Sequence, residues 1–405
     1  MKIIERIEIK YFRSFADKKV EIIDLKDVNI FSGKNDSGKS NVLRALNLFF
    51  SKENKIDFYN FLDFEKDFSK QQAEKLKEQS KGKTFIEVGI LFANYSGKYF
   101  SKKVLPEKFW IFKKWWRDGR VENVLKQKNK KDDVEYFETR NEKEISKPEK
   151  VKSSKTQFLN KIHFQYIPAI KDENFFNFLI DEYQKSLGAD LKEESKKLEE
   201  TIQKKSKELF KEFKNQTAEI SEADFHIPDL EIDFAKTLRI KTDKNKIDLK
   251  SRGDGIQTKF LPPLLDQISK NKKIVIWGFE EPENSLEYGN ARKLAKEFLE
   301  NYSQTKQIFI TTHAKEFLGL RDEEKVSIHR VFKDESSGSS KIIRHKELDS
   351  DDKRKEYAEK QLKLFDSNLP KEEKKKIIDQ IFDDLGMIDE TKLIFEIEEF
   401  LINLY

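Results

Sequence analysis

The stretch that most constrains this chain is V-N-I-F-S-G-K-N-D-S-G-K-S-N-V-L-R-A-L-N-L-F-F, residues 28–50. Val28 to Phe31 form a short apolar run that predicts a buried strand, and Asn41 to Phe50 place apolar residues at helical spacing. Between them Gly33 to Ser40 match G-x-x-x-x-G-K-[ST] at every fixed position. Strand, glycine loop and helix in that order make a phosphate-binding loop. Gly33 and Gly38 let the backbone fold tightly enough for successive N–H groups to face phosphate oxygens. The helix opening near Lys39 adds the positive end of its dipole. Lys39 is placed to bridge β- and γ-phosphates and the Ser40 hydroxyl to ligate Mg²⁺. Asn35, Asp36, Ser37 and Asn41 complete the set of residues expected at the nucleotide.

A chain of 405 residues has room for two or three domains, or for one domain with large insertions. Charged residues make up 38% and hydrophobic ones 37%, a balance suited to a soluble protein with long exposed helices. No apolar run reaches the roughly 18 residues of a membrane span, so no membrane partner is expected. The chain enters an apparent strand at once through Ile3, Ile4, Ile7 and Ile9, without a secretory leader, and a cytoplasmic location is expected. The absence of cysteine excludes disulfides, cysteine–zinc sites and a thiol nucleophile. A net charge of +5 is too small to imply a nucleic-acid partner by itself.

Strands are predicted near residues 2–12, at Val20 to Ile23, at Thr84 to Ala93, at Tyr99 to Val104 and at Phe109 to Trp116, enough for a small antiparallel sheet. A polar helix is predicted between Phe68 and Lys83. Lys81 to Lys130 carry a net excess of about nine positive charges. Trp110, Phe112, Trp115 and Trp116 are interleaved with them. Such a stretch stacks and pairs with nucleic acid, or buries its aromatics and solvates its lysines; composition leaves both open. Residues 128–156 read as a mobile loop. Ile162 to Ile167 restores a strand and Phe175 to Tyr183 a helix. Leu191, Leu198, Ile202, Leu209 and Phe213 then form a narrow apolar seam on a charged helix. A second glycine loop spans Ile247 to Thr258. Strands are predicted at Ile274 to Phe279, Gln307 to Thr311 and Val326 to Phe332, and a helix at Ala291 to Tyr302. The tail from Lys353 reads as helical, with a start at Asn368-Leu369-Pro370 and a stop at Gly386.

Two later segments complete a hydrolytic site. The apolar strand Ile274 to Phe279 ends in Glu280-Glu281-Pro282-Glu283, and carboxylates at the C-terminal end of such a strand stand where metal and water are handled in an open α/β sheet. Glu280 occupies the metal-linked position and Glu281 that of a water-polarising base; two surface charges after a buried strand are the alternative. Ile308 to Thr312 form another buried strand ending in His313, one of five histidines, placed as a γ-phosphate sensor or as an incidental strand-end residue.

Together the phosphate loop, E-E-P-E-N-S-L-E and T-T-H resemble the ABC-type ATPase group that contains SMC, RecF and OLD-family proteins, and Y-F-R-S-F at residues 11–15 is similar to that group's opening strand. G-K-N-D-S-G-K-S-N-V-L-R-A-L resembles the OLD-like, AAA-family ATPases of bacterial antiphage defence. The resemblance covers roughly residues 1–50 and 245–335. It implies an α/β ABC-type head, with a mixed sheet flanked by helices, a small antiparallel β lobe, a short helical or coiled-coil insertion and a helical tail. The implied order is an N-terminal ATPase half at 1–180, the insertion at 181–222, a C-terminal ATPase half at 223–345 and the tail at 346–405. It implies two ATP molecules, with Mg²⁺, sandwiched between two heads of a homodimer or higher homo-oligomer. Ser251-Arg252-Gly253-Asp254-Gly255-Ile256-Gln257 then stands as the signature loop, departing from L-S-G-G-Q, with Ser251, Gly253 and Gly255 facing a partner's nucleotide. Glu287 takes the place of the D-loop aspartate. Arg13 is either a nucleotide contact or a plain surface arginine, and Gln165 is a candidate for the Q-loop glutamine.

Lys39 and Glu280 stand 241 positions apart, more than a compact head needs, so the basic sheet and charged helix read as insertions. The carboxylates near the C-terminus lack the glycine-flanked strand of a Toprim nuclease domain and read as helix surface. The resemblance therefore implies a separate effector, of nuclease or Toprim type, in a PARIS- or Septu-like antiphage system triggered by DNA or a phage protein. The other reading is a RecF-like DNA-binding repair ATPase using Lys113, Lys114 and Arg117.

Overall fold

The computed structural model describes residues 2–17, 19–79, 84–94, 107–128, 134–137, 155–190, 240–242, 247–321, 323–334 and 337–345, with single positions at 197, 200, 201, 204, 372, 375 and 376. The apolar seam at Leu191 to Phe213, the strand expected at Tyr99 to Val104 and the tail from Lys353 lie outside the described residues or touch them only at single positions. The chain packs as two compact units, one formed by 1–169 with 272–405 and the other by 170–271.

The larger unit holds two six-stranded sheets. Three strands open it: β1 (Ile4–Lys10), β2 (Val20–Ile22) and β3 (Val28–Ser32). Helix α1 (Lys39–Phe50) follows the glycine loop, then the short α2 (Phe64–Asp67) and α3 (Lys70–Gln79). Next come β4 (Phe85–Ala93), β5 (Lys108–Trp116), β6 (Val121–Lys128) and β7 (Val134–Phe137), and beyond a short helix over 155–160 comes β8 (Ile162–Ile167). The reading of 128–156 as a loop is corrected here. Val134–Phe137 pairs antiparallel with Leu125–Lys128, because V-E-Y-F needs only an edge to add to and no core of its own. The first sheet runs β2-β1-β4-β5-β6-β7, antiparallel throughout. It is larger than the small lobe the sequence suggests, because it recruits the N-terminal strands.

The second sheet carries the site. After residues 170–271 the chain returns as β11 (Ile274–Glu280), β12 (Lys306–Thr312), β13 (Val326–Lys333) and β14 (Ser340–Arg344), numbered to leave β9 and β10 for the smaller unit. The order is β14-β13-β3-β12-β11-β8, parallel except for the β14 edge. Every residue of β3, β11 and β12 is buried, as the continuous apolar runs of a sheet covered on both faces require. Helix α1 covers one face, packing on β8, β11 and β12 and also on β4 of the other sheet, and buries Val42, Leu43, Ala45, Leu46, Leu48 and Phe49. Gln307, fully buried on β12, joins the two sheets. Its Oε1 accepts from the backbone N–H of Ile3 (3.0 Å) and Ile4 (2.7 Å), and its Nε2 donates to the carbonyls of Ile4 and Lys26 (2.9 Å each).

The smaller unit contains α4 (Glu173–Asp190), the two-residue pair β9 (Lys241–Thr242) and β10 (Ile247–Asp248), a 3-10 turn at Leu249–Ser251 and α5 (Asp254–Ser269). Helices α4 and α5 pack on each other.

Candidate nucleotide site

Strand order decides which chemistry meets. β3 delivers the glycine loop, β12 is its neighbour and β11 lies beyond β12, so the C-terminal ends of three adjacent parallel strands present Gly33–Ser40, His313 and Glu280–Glu283 side by side. That edge is where open α/β sheets bind ligands.

The loop is shaped for an anion. Gly38 caps α1 with φ of 102°, and a Cβ there would meet the hydroxyls of Ser340 and Ser14 at 2.4 and 2.6 Å. A Cβ on Gly33 would meet the Val331 carbonyl oxygen at 2.0 Å. No side chain caps α1 and no acidic residue occupies its first turn, so its leading N–H groups keep their capacity for a phosphate. Ser340 Oγ donates to the Ser37 carbonyl (2.6 Å), Asn41 Nδ2 donates to Ser14 Oγ (2.9 Å), and Lys333 pairs with Asp36, which sits at φ of 60°. Lys34, Asn35 and Asp36 are exposed and Ser37 is buried.

Lys39 is 5% exposed and lies in the centre. Its Nζ donates to the carbonyls of Gly33 (2.9 Å) and Lys34 (3.0 Å) and lies 2.7 Å from Nε2 of His313. Burial brings its pKa down to about 8, against the attraction of Glu281, Glu283 and Glu280. His313 is likewise held below the ordinary histidine value, first by burial and then by Lys39, so its imidazole is neutral and accepts from the ammonium.

The carboxylates divide into three roles. Glu280, 3% exposed at the end of β11, is pushed up by burial, while Arg44, Tyr166 and the Ser40 hydroxyl beside it favour its charged form. Its Oε1 is buried without a hydrogen-bond partner and lies 3.8 Å from Arg44 Nε, which also stands 3.5 Å from Asp57. An orphaned carboxylate oxygen next to a serine hydroxyl at the phosphate loop is a donor set that fits a hard divalent cation such as Mg²⁺. Glu281 adopts φ of 44°, held by its N–H bond to the Thr311 carbonyl (2.8 Å), a conformation costly for a side chain with a Cβ. Its Oε1 lies 3.5 Å from His313 Nε2, and its Oε2 accepts from Asn284 Nδ2 (3.0 Å). Glu283 accepts from Thr312 Oγ1 (2.5 Å) and the His313 N–H (3.1 Å), which fixes the histidine backbone.

Asp57, Tyr166 and Ser340 escape a sequence reading, and Arg44, Glu283, Asn284 and Thr312 fall inside its motifs without a role, because all support the site through contacts that no local spacing encodes. Arg330 belongs with them: it pairs in register with Ser32, and its charge acts on both Lys39 and His313.

The remaining expected residues lie on other elements. Arg13, at φ of 51°, donates from Nε to Asp67 Oδ1 (2.7 Å), an ion pair inside the N-terminal lobe. Gln165 lies on β8 with its Oε1 3.0 Å from His163 Nε2. Glu287 is the exposed residue before α6 (Tyr288–Glu300) and makes no side-chain cap. Ser251, Gly253 and Gly255 belong to the smaller unit. Gly253 precedes α5 without a side-chain cap, and Gln257 Nε2 secures the loop through the carbonyls of Lys250 (3.1 Å) and Arg252 (2.8 Å).

The described residues of the basic, aromatic stretch do not form one surface. Phe109, Ile111 and Trp115 enter the main core, while Trp110 and Phe112 pack with Leu91 on the opposite face. Lys114 pairs with Glu87 (3.2 Å) and Arg117 with Glu65 (2.7 Å), and by alternation Lys113 faces the other way from Lys114.

The structure is similar to that of an Smc head bound to the C-winged helix domain of ScpA, at 16% identity and a TM-score of 0.52, across 85% of this chain and 97% of that one. The sequence is 27% identical over 395 residues to Endonuclease GajA of Bacillus cereus (strain VD045), a match covering 85% of this chain and 63% of that protein. The chain thus spans less than two thirds of that relative's length. The fold is that of an α/β ABC-type P-loop ATPase head. The AAA ATPase domain family matches residues 1–178 and 125–318, and the chain belongs to that family.

Proposed function

We propose that this protein hydrolyses ATP to ADP and phosphate, and that nucleotide controls its association with a second copy and with a separate effector. The observation that carries the reading is the convergence of Lys39, His313, Glu281 and Glu280 at one strand edge. Lys39 exchanges the Gly33 and Lys34 carbonyls for β- and γ-phosphate oxygens. Glu281 takes the proton of the water whose oxygen bonds to the γ-phosphorus as the bond to ADP breaks. Neutral His313, freed from Lys39, turns to the γ-phosphate. Ser40 and Glu280 would hold Mg²⁺, which would neutralise charge on the phosphate oxygens.

In a second head, Ser251 and Gly253 present a hydroxyl and a helix-opening N–H to the partner's γ-phosphate, with Gly255 next to them in the chain, and Glu287 takes the D-loop position. A relative named as an endonuclease supports an output on nucleic acid, and resemblance to the OLD-like group supports an antiphage setting with a nuclease effector and a DNA or phage-protein trigger. No helix among the described residues is long and apolar enough to cross a membrane. The test is phosphate release with Mg²⁺ by wild type, Lys39→Ala and Glu281→Gln, with co-purification of the neighbouring gene's product. Lys39→Ala should lose Mg²⁺-dependent ATP binding by calorimetry. Wild-type affinity for ATP with Mg²⁺ in that variant would remove the site assignment.

A further inference from the structure

A cavity of about 570 Å³ opens in the larger unit at the far edge of the parallel sheet from the phosphate loop. Its walls include the C-terminal end of α1, the turn into β8 and the residue two before β11. The catalytic carboxylates lie at the C-terminal ends of the parallel strands; this cavity sits where β8 and β11 begin, Ile162 pairing with Ile274. Lys39 and the cavity therefore occupy opposite ends of α1, whose 12 residues span about 18 Å.

Its lining carries Lys52, Lys113, Lys155, Lys161, Lys272 and His163, and among the described residues no aspartate or glutamate. Five lysines on one concavity concentrate positive charge there, which favours an anionic occupant. Lys113 shows this most clearly. On β5 it shares the inward face with Phe109, Ile111 and Trp115, at a position where alternation calls for an apolar side chain. Its Nζ lies 5.2 Å from the Phe49 ring centroid, and burial together with Lys155 brings its pKa down to about 8. Lys155, 9% exposed, donates to the Asn123 carbonyl (3.2 Å). The C-terminal dipole of α1 offers only a fraction of a charge near Lys52, about half an elementary charge.

The geometry points to a second, anionic ligand site: the cavity binds a small oligophosphate of nucleotide size, its phosphates on Lys52, Lys113, Lys155, Lys161 and Lys272. The volume suits one such molecule. Phe50 and Leu159, also in the wall, offer apolar surface for a base or sugar. A nucleic-acid backbone would need an open basic stripe, and Lys114 and Arg117 of the same stretch are paired with Glu87 and Glu65.

The test uses the full chain carrying Lys39→Ala, so that the phosphate loop no longer takes nucleotide, with Mg²⁺-free inorganic tripolyphosphate and ATP as calorimetric probes. One site per chain is expected, with affinity falling as salt rises. Adding Lys52→Gln and Lys272→Gln, both exposed positions, should weaken it by about tenfold or more, as loss of charge-assisted hydrogen bonds predicts. Adding Lys113→Met should also weaken it while raising the melting temperature without probe, an increase that a purely structural lysine would not give. If Lys113→Met does not fold, the exposed pair decides. Absence of tripolyphosphate binding in Lys39→Ala, or binding unchanged by the lysine substitutions, overturns the proposal. So does a 20-nucleotide single strand that binds through these lysines and is not displaced by tripolyphosphate.

Discussion

Lys39 is the residue whose chemistry is most exposed to measurement. In the free protein it titrates at about 8, and phosphate would hold it charged, so binding above that pH must take up a proton. ATP affinity should be nearly level between pH 7 and 8 and then fall by up to about tenfold per pH unit above it. Calorimetry across pH 7 to 9.5 checks this, and a profile that stays level to pH 9.5 contradicts it. His313→Ala should slow turnover while leaving ATP binding within a few-fold, because the imidazole is a partner of Lys39 and Glu281 rather than a charged phosphate ligand. Steady-state and binding measurements on that variant separate the two. His329 behaves differently. Buried and stacked on Phe31 (5.2 Å between centroids), it is held neutral well below the ordinary histidine pKa by burial and by Arg344. The unfolded chain takes up a proton near pH 6.5 that the folded chain refuses, so this residue's contribution is lost as pH falls through that value. Thermal melts at pH 7.5 and 5.5 should therefore show a smaller acid loss for His329→Gln than for wild type.

At the scale of elements, the two sheets are joined by Gln307, and this makes a sharp stability prediction. Gln307→Leu leaves the N–H groups of Ile3 and Ile4 buried without their acceptor and should cost about 3 kcal/mol in denaturant unfolding. An effect under about 0.5 kcal/mol would mean that β1 docks on β12 without it. This residue also shows what a sequence conveys and what it withholds. The strands β3, β11 and β12 were legible because burial on both faces leaves an unbroken apolar run, and the glycine loop because its backbone demands fixed residue types. Glu280, Glu281 and His313 were legible because strand ends mark them. Gln307 gave no such mark, being one polar letter in an apolar strand. Glu283, Asn284 and Arg44 lie within recognised motifs, yet their roles were silent, since they act on His313, Glu281 and Glu280 through contacts set by the tertiary fold. The edge strand β7 was misread as loop because pairing, not composition, makes it a strand. Lys113 was grouped with Lys114 and Arg117 as one basic surface, whereas strand alternation sends it to the opposite face from Lys114.

For the whole molecule the central claim is a nucleotide switch. On this proposal ATP bound at the phosphate loop would bring two heads together, the signature-like loop of one completing the site of the other, and hydrolysis by Glu281 would release them. The smaller unit, with Ser251 and Gly253 exposed before α5 and Gly255 in its first turn, is the proposed carrier of that contact. Glu281→Gln keeps the phosphate loop, Ser40 and Glu280 intact, so it should bind ATP normally while turnover drops by about 100-fold or more. The most direct measurement is the mass of this variant by light scattering with ATP and Mg²⁺, with ADP and Mg²⁺, and without nucleotide. The account predicts a dimer or larger assembly with ATP alone among the three, together with the loss of turnover. An oligomeric state indifferent to nucleotide, or hydrolysis that persists within a few-fold of wild type, would contradict it.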